Sequence, residues 1–155
     1  MNQVINFFWT ILCFAPVVTY WLRIGDLTAC WYFIGLSFVG LLIPAKWLQL
    51  SRNPKTYERL GAKLIRKFVQ NGDYAKRGAR VISNKSNALL YGKTILTYEK
   101  FHFLCLLFFL FTGIYAILFE QYLLAVLIFL ANVIYNIYPM LLQQYNRARI
   151  FRLAR

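Results

Sequence analysis

Four stretches of this chain are each apolar over about twenty residues, the length a helix needs to cross the roughly 30 Å hydrocarbon layer of a bilayer. They run from about Val4 to Leu22, Leu27 to Leu48, Tyr98 to Phe119 and Tyr122 to Leu142. Backbone in hydrocarbon must satisfy its own N–H and C=O groups, and segments of this length do so as helices. The composition agrees: 60% of residues are hydrophobic and 15% charged, against about 45–50% and about 25% in soluble domains. Residues 1–155 therefore read as a single all-α membrane domain with four transmembrane helices. The first stretch lacks a basic leading region and a small-residue cleavage site, so it reads as a retained helix rather than a signal peptide.

The charge is as uneven as the hydropathy. The net charge is +13, from 18 Lys and Arg against 5 Asp and Glu. Nucleic-acid binding is excluded as the reason, because 14 Phe, 11 Tyr and 4 Trp lie largely in long apolar runs. The two hairpins, around Arg23–Asp26 and Phe119–Gln121, are short and close to neutral. Between them, Lys46 to Lys100 holds 13 Lys and Arg against Glu58, Asp73 and Glu99, and the tail 143–155 adds Arg147, Arg149, Arg152 and Arg155. With four spans, the central segment (about 49–97) and both termini share one side. The positive-inside rule makes that side cytoplasmic.

The central segment divides in two. Asn53-Pro54 is a helix start, with Asn as cap and Pro at the first helical position. Tyr57, Leu60, Leu64, Ile65 and Phe68 then recur at helical spacing, with Arg59, Lys63, Arg66 and Lys67 between them. This predicts a basic amphipathic helix lying in the headgroup plane. From Asn71-Gly72-Asp73 to about residue 97 the pattern is interrupted by Gly78, Ser83, Asn84, Ser86, Asn87 and Gly92, and reads as a loop with at most one short helix.

Polar chemistry concentrates where two spans meet this basic side. The one histidine, His102, follows Glu99 by three residues, which puts both side chains on one helix face. A Glu that accepts from one imidazole nitrogen leaves the other as a general base near neutral pH; the alternative is a polar pair that only anchors the helix end. On the fourth span Asn132, Asn136, Gln143 and Arg147 form one stripe at helical spacing, joined by Tyr145, Asn146 and Arg149. Its plainer reading is interhelical hydrogen bonding at about 0.6 kcal/mol per bond. Pro139 introduces a kink and releases carbonyls near Tyr135. Cys13, Cys30 and Cys105 form no CxxC, and together with Ser37 they read as packing residues. No metal site and no cofactor is expected, since metal clusters, phosphate loops and nucleophile elbows are all missing from the sequence.

Asn136-Ile137-Tyr138-Pro139, followed by Gln143-Gln144-Tyr145-Asn146-Arg147-Ala148-Arg149 and preceded by Glu99-Lys100-Phe101-His102, resembles the glycosyl-4,4'-diaponeurosporenoate acyltransferases. These are small bacterial membrane enzymes that esterify the sugar of a carotenoid glycoside. Tyr57-Glu58, Gly61-Ala62-Lys63, Arg66-Lys67-Phe68 and Gly72-Asp73 look like the family's central stretch. Gln144 departs from the pattern, standing where the family usually has Arg. The resemblance implies an acyl donor such as acyl-CoA, a lipid or glycolipid acceptor hydroxyl, and a place in the bacterial inner membrane. It further implies His102 as base, Glu99 as its orienting group, and Asn136 or Gln143 as donors to the oxyanion. Tyr145, Asn146, Arg147 and Arg149 would contact substrate, the arginines holding donor phosphates in addition to anionic lipid.

Two other classes are open to the same residues. A non-catalytic membrane subunit would bind lipid or a protein partner through its aromatic helices and basic segment, as a homo-oligomer or in a complex. A small transporter would need an ionisable residue at mid-membrane, and no span carries one.

Overall fold

The computed structural model describes residues 2–65 and 85–153, and these fold almost entirely as helices with no strand among them. Helix α1 runs Asn2–Ile24, and α2 runs Leu27–Phe38 with a 3₁₀ extension Val39–Leu42. Three short helices follow: α3 (Ala45–Leu48), α4 (Pro54–Arg59) and α5 (Ala62–Ile65). Helix α6, Lys85–Leu118, is the longest at 34 residues, or about 51 Å at 1.5 Å per residue. Helix α7 (Tyr122–Asn132), a π turn (Val133–Ile137) and α8 (Tyr138–Leu153) form one continuous rod antiparallel to α6.

Three helical stretches are long and apolar enough to cross a bilayer: Val4–Ile24, Gly92–Leu118 and Tyr122–Arg149. The expected count of four is therefore corrected. The stretch from Leu27 to Leu48 is not one span but an apolar helix ending at Leu42, then a break. Pro44 supplies no N–H and drives Ile43 out of the helical region, to φ −73° and ψ 121°. The open end is closed from outside: Lys100 Nζ donates to the Leu41 carbonyl at 2.7 Å.

The bundle turns its apolar surface outward. Phe7, Leu22, Trp31, Tyr32, Leu118 and Leu123 are all exposed along the outer faces of α1, α2, α6 and α7. Apolar surface of that extent on three helices long enough to cross a bilayer is the surface of a membrane protein. Trp47, also exposed, sits beside Lys46 in α3, a pairing suited to the membrane–water boundary.

The inside is aromatic at the hairpin end and polar at the basic end. Tyr20, Trp21, Phe33 and Tyr115 interlock edge-to-face or stacked, with centroids 5.2–6.3 Å apart. Asp26 ties this end together, capping α2 through Ala29 N–H at 3.0 Å and accepting from Tyr115 Oη at 3.1 Å. The Phe129 ring of α7 packs onto Gly113 of α6, where an added Cβ would stand 2.7 Å from it.

The expected amphipathic helix is also revised. It begins as predicted, with Asn53 Oδ1 accepting from Lys55 N–H at 3.0 Å and Pro54 in the first turn. It then breaks at Gly61, whose φ of +85° suits a residue without a Cβ, and resumes as the single turn α5. Tyr57 turns inward and is fully buried against α8 with Ala62, Leu142, Tyr145 and Ala148. Arg66, Lys67, Phe68 and most of the expected loop (66–84) lie outside the described residues. Residues 85–97, read from sequence as the end of that loop, are the first turns of α6.

Candidate active site

Two polar clusters lie on α6, separated by a single turn. The first centres on Glu99, which is fully buried. Its Oε1 accepts from Arg147 Nη2 at 3.2 Å, and its Oε2 stands 3.1 Å from Arg147 Nη1 in the same ion pair. Gln144 Nε2 donates to the same Oε1 at 2.9 Å.

The cluster then reaches past Glu99 to the irregular backbone after α2. Arg147 Nη2 donates to the Ala45 carbonyl at 3.2 Å, and Gln144 Nε2 to the Leu48 carbonyl at 2.8 Å. Gln144 Oε1 accepts from Leu50 N–H at 3.1 Å. Tyr57 Oη accepts from Ser51 N–H at 2.8 Å and donates to the Ser51 carbonyl at 2.7 Å, with Gln144 Oε1 at 3.2 Å. Burial pushes the Tyr57 phenol up from its usual pKa, so it stays protonated as this arrangement requires. Side chains thus satisfy backbone groups that helix and sheet leave unpaired between Ala45 and Ser51.

The second cluster ends on His102. Its Nδ1 faces Asn136 Oδ1 at 3.5 Å, Asn136 Nδ2 donates to Asn132 Oδ1 at 2.8 Å, and Asn132 Nδ2 donates to the Leu106 carbonyl at 3.1 Å. The imidazole is half-buried, with its ring edge-to-face on Tyr135 at 5.6 Å and beside Phe101 at 5.4 Å. Tyr135 is held in turn by Thr10 Oγ1 at 2.9 Å and by Phe14 at 5.3 Å. The main-chain carbonyl of Tyr135 is another polar neighbour of the imidazole. In a regular helix that carbonyl would pair with the N–H that Pro139 lacks, and the π turn lies immediately before this proline.

Several sequence expectations change here. Glu99 does not accept from His102; it pairs with Arg147 and Gln144, and Asn136 is the group facing the imidazole. A spacing of three residues leaves side chains about 60° apart on a helix, enough for Glu99 to face α8 while His102 faces the π turn. Arg147, expected at the surface against phosphates, is buried against Glu99. Gln143 is not the amide that enters the cluster; its neighbour Gln144 is. The π turn, closed by Tyr138 N–H on the Val133 carbonyl, adds about one residue to the rod and moves the stripe on by one position.

The remaining expected site residues stay near the basic surface. Tyr145 is buried and donates to Glu58 Oε1 at 3.1 Å, Asn146 is half-buried, and Arg149 is exposed with its guanidinium 5.5 Å above the Tyr145 ring. Glu58 also pairs with Lys63 at 2.8 Å, which with the Tyr145 hydrogen bond holds its carboxyl below the usual value. Ser37 donates to its own helix at the Phe33 carbonyl, 2.6 Å away, and Cys105 is buried, both in keeping with packing roles. The sequence pattern does not mark Thr10, and it names Tyr57, Tyr135 and Gln144 without giving their side chains a site role. Pro139 was the one signal that the stripe's register would shift.

No curated protein and no solved structure matches the chain. The sequence pattern of one family matches residues 44–155, which hold both clusters, the π turn and the basic rod. On that match the chain belongs to the glycosyl-4,4'-diaponeurosporenoate acyltransferase family.

Proposed function

We propose that this protein transfers a fatty acyl group to a hydroxyl of a lipid or glycolipid acceptor, of the carotenoid-glycoside kind, at the basic face of the membrane. His102 is the base. The observation that carries this is the half-buried imidazole whose Nδ1 faces the Asn136 carbonyl oxygen, because the other nitrogen is then left to take a proton. It lies two residues beyond Lys100, which reaches the end of α2 near the boundary, so an amphiphile's hydroxyl can meet it without leaving the bilayer.

The chemistry is acyl exchange. His102 removes the acceptor hydroxyl proton as its oxygen attacks the donor's acyl carbonyl. Collapse of the tetrahedral intermediate breaks the bond to the donor's leaving group, which takes the proton back from the imidazolium. Asn136 orients the ring, while Glu99 and Arg147 hold the neighbouring backbone rather than substrate. Arg149, Lys46, Arg52, Lys55 and Arg59 are exposed and suit the phosphates of an anionic donor such as acyl-CoA, and Tyr145 and Asn146 border that surface. By the positive-inside rule this face is cytoplasmic in a bacterial inner membrane.

The test is mass spectrometry of the lipids carried by wild type and by His102→Ala. An acylated glycolipid with wild type, and its unesterified precursor with the variant, is the expected result. Bulk phospholipid alone on both, with a stoichiometric protein partner, would contradict it and favour a membrane subunit.

A further inference from the structure

We propose that the Leu106 carbonyl sets the tautomer of His102 through Asn132 and Asn136, making Asn132 a positioning residue for the base. The use of that tautomer in catalysis rests on the acyl-transfer reading; the tautomer itself does not.

One group in this chain of contacts cannot change its role. A backbone carbonyl only accepts hydrogen bonds, so the end of the Asn132 amide 3.1 Å from Leu106 O must be its NH₂. That turns Asn132 Oδ1 toward Asn136 at 2.8 Å, where the facing atom must be a donor, the Asn136 NH₂. Asn136 Oδ1 is then the atom 3.5 Å from His102 Nδ1, and an amide oxygen asks for a donor. The neutral ring therefore carries its proton on Nδ1 and keeps its lone pair on Nε2. Reversing either amide would oppose two donors or two acceptors.

Water cannot relax this constraint at its start, because Asn132 and Asn136 are both buried. Asn132 lies ten residues into α7, about 15 Å from its beginning at 1.5 Å per residue, well inside the apolar layer. The rival acceptor is the Tyr135 carbonyl, the other polar neighbour of the imidazole. Were it the stronger partner through Nε2, the proton would sit on that nitrogen and no base would face the substrate. A chain of two amides locked to a main-chain oxygen excludes that choice.

The sequence makes the test direct, since His102 is the only histidine. Protein labelled with ¹⁵N-histidine, purified through a histidine-free tag and reconstituted in bilayers, gives two ring-nitrogen signals that belong to His102 alone. Above the imidazole titration, the expected spectrum has Nδ1 protonated and Nε2 unprotonated. Asn132→Leu should produce a mixture of tautomers and at least a tenfold fall in kcat with KM little changed. Asn132→Asp should restore the wild-type spectrum: a carboxylic acid buried in lipid is neutral, donates its O–H to Leu106 O and accepts from Asn136. A protonated Nε2 in wild type, or a wild-type spectrum in Asn132→Leu, would overturn the proposal. Should Asn132→Leu not fold, the wild-type and Asn132→Asp spectra decide it. If the spectra behave as expected and acyl product does not depend on His102, the tautomer inference stands and the acyl-transfer reading falls.

Discussion

Glu99 and His102 sit one turn apart on α6, and their surroundings have opposite ends. The Glu99 cluster closes on itself: carboxylate, guanidinium and amide meet one another and then the backbone from Ala45 to Ser51. The His102 chain starts at a main-chain carbonyl and stops at an imidazole with a nitrogen left over. Sequence spacing treats the two as partners, whereas packing gives them different employers. An ionisable group whose partners are all inside the fold stabilises a shape, and one at the open end of a hydrogen-bond chain is available to a substrate. Under the proposed acyl-transfer reading, that difference assigns Arg147 and Glu99 to the architecture and His102 to the chemistry.

Arg147→Leu should do the most damage to the closed cluster. It strands Glu99 in a buried site, and losing one partner of a buried pair costs about 3–5 kcal/mol. Thermal unfolding in detergent should show a large drop, and the double variant Arg147→Leu/Glu99→Leu should recover part of it because no charge is then left alone. Gln144→Leu should cost about 1–3 kcal/mol by leaving buried backbone groups unpaired. Hydrogen exchange should report it at the Leu50 and Ser51 amides, the two held by Gln144 and Tyr57. Gly113→Ala pushes a methyl into the Phe129 ring and should cost about 1–3 kcal/mol, read as a lower melting temperature with the site chemistry intact.

The smallest effect is in pH. Glu58 has a lowered pKa in the folded protein, through its Lys63 and Tyr145 hydrogen bonds. Its stabilising contribution is therefore present above the ordinary carboxyl value and lost as pH falls through the folded one. Glu58→Gln should melt slightly below wild type at neutral pH and converge on it as the pH falls below the ordinary carboxyl range, which flattens the acid limb of the melting-temperature profile.

Much of the architecture was legible because hydropathy has few solutions in a bilayer. The helical class, the two hairpins and the Asn53-Pro54 helix start all appear in the structure. The second of the four expected spans failed for a local reason, since apolar residues continue to Leu48 while the helix ends at Leu42, ahead of Pro44. The site was legible in its residues more than in its pairings. Periodicity could bring Glu99 near His102, yet it carries no information on which neighbour wins the carboxylate. It likewise assumed a regular α-helix between Asn136 and Arg147, and the π turn before Pro139 moved the working amide from Gln143 to Gln144. The contact between the Thr10 and Tyr135 hydroxyls is illegible in sequence because the two meet across 125 positions.

The division between architecture and chemistry is tested most directly by measuring acyl turnover and melting temperature together on His102→Gln and Glu99→Gln. His102→Gln should melt like wild type and make no product, while Glu99→Gln should melt lower and keep turnover in proportion to the folded protein that remains. Full turnover by His102→Gln, or a Glu99→Gln variant that melts like wild type and has lost its chemistry, would contradict it.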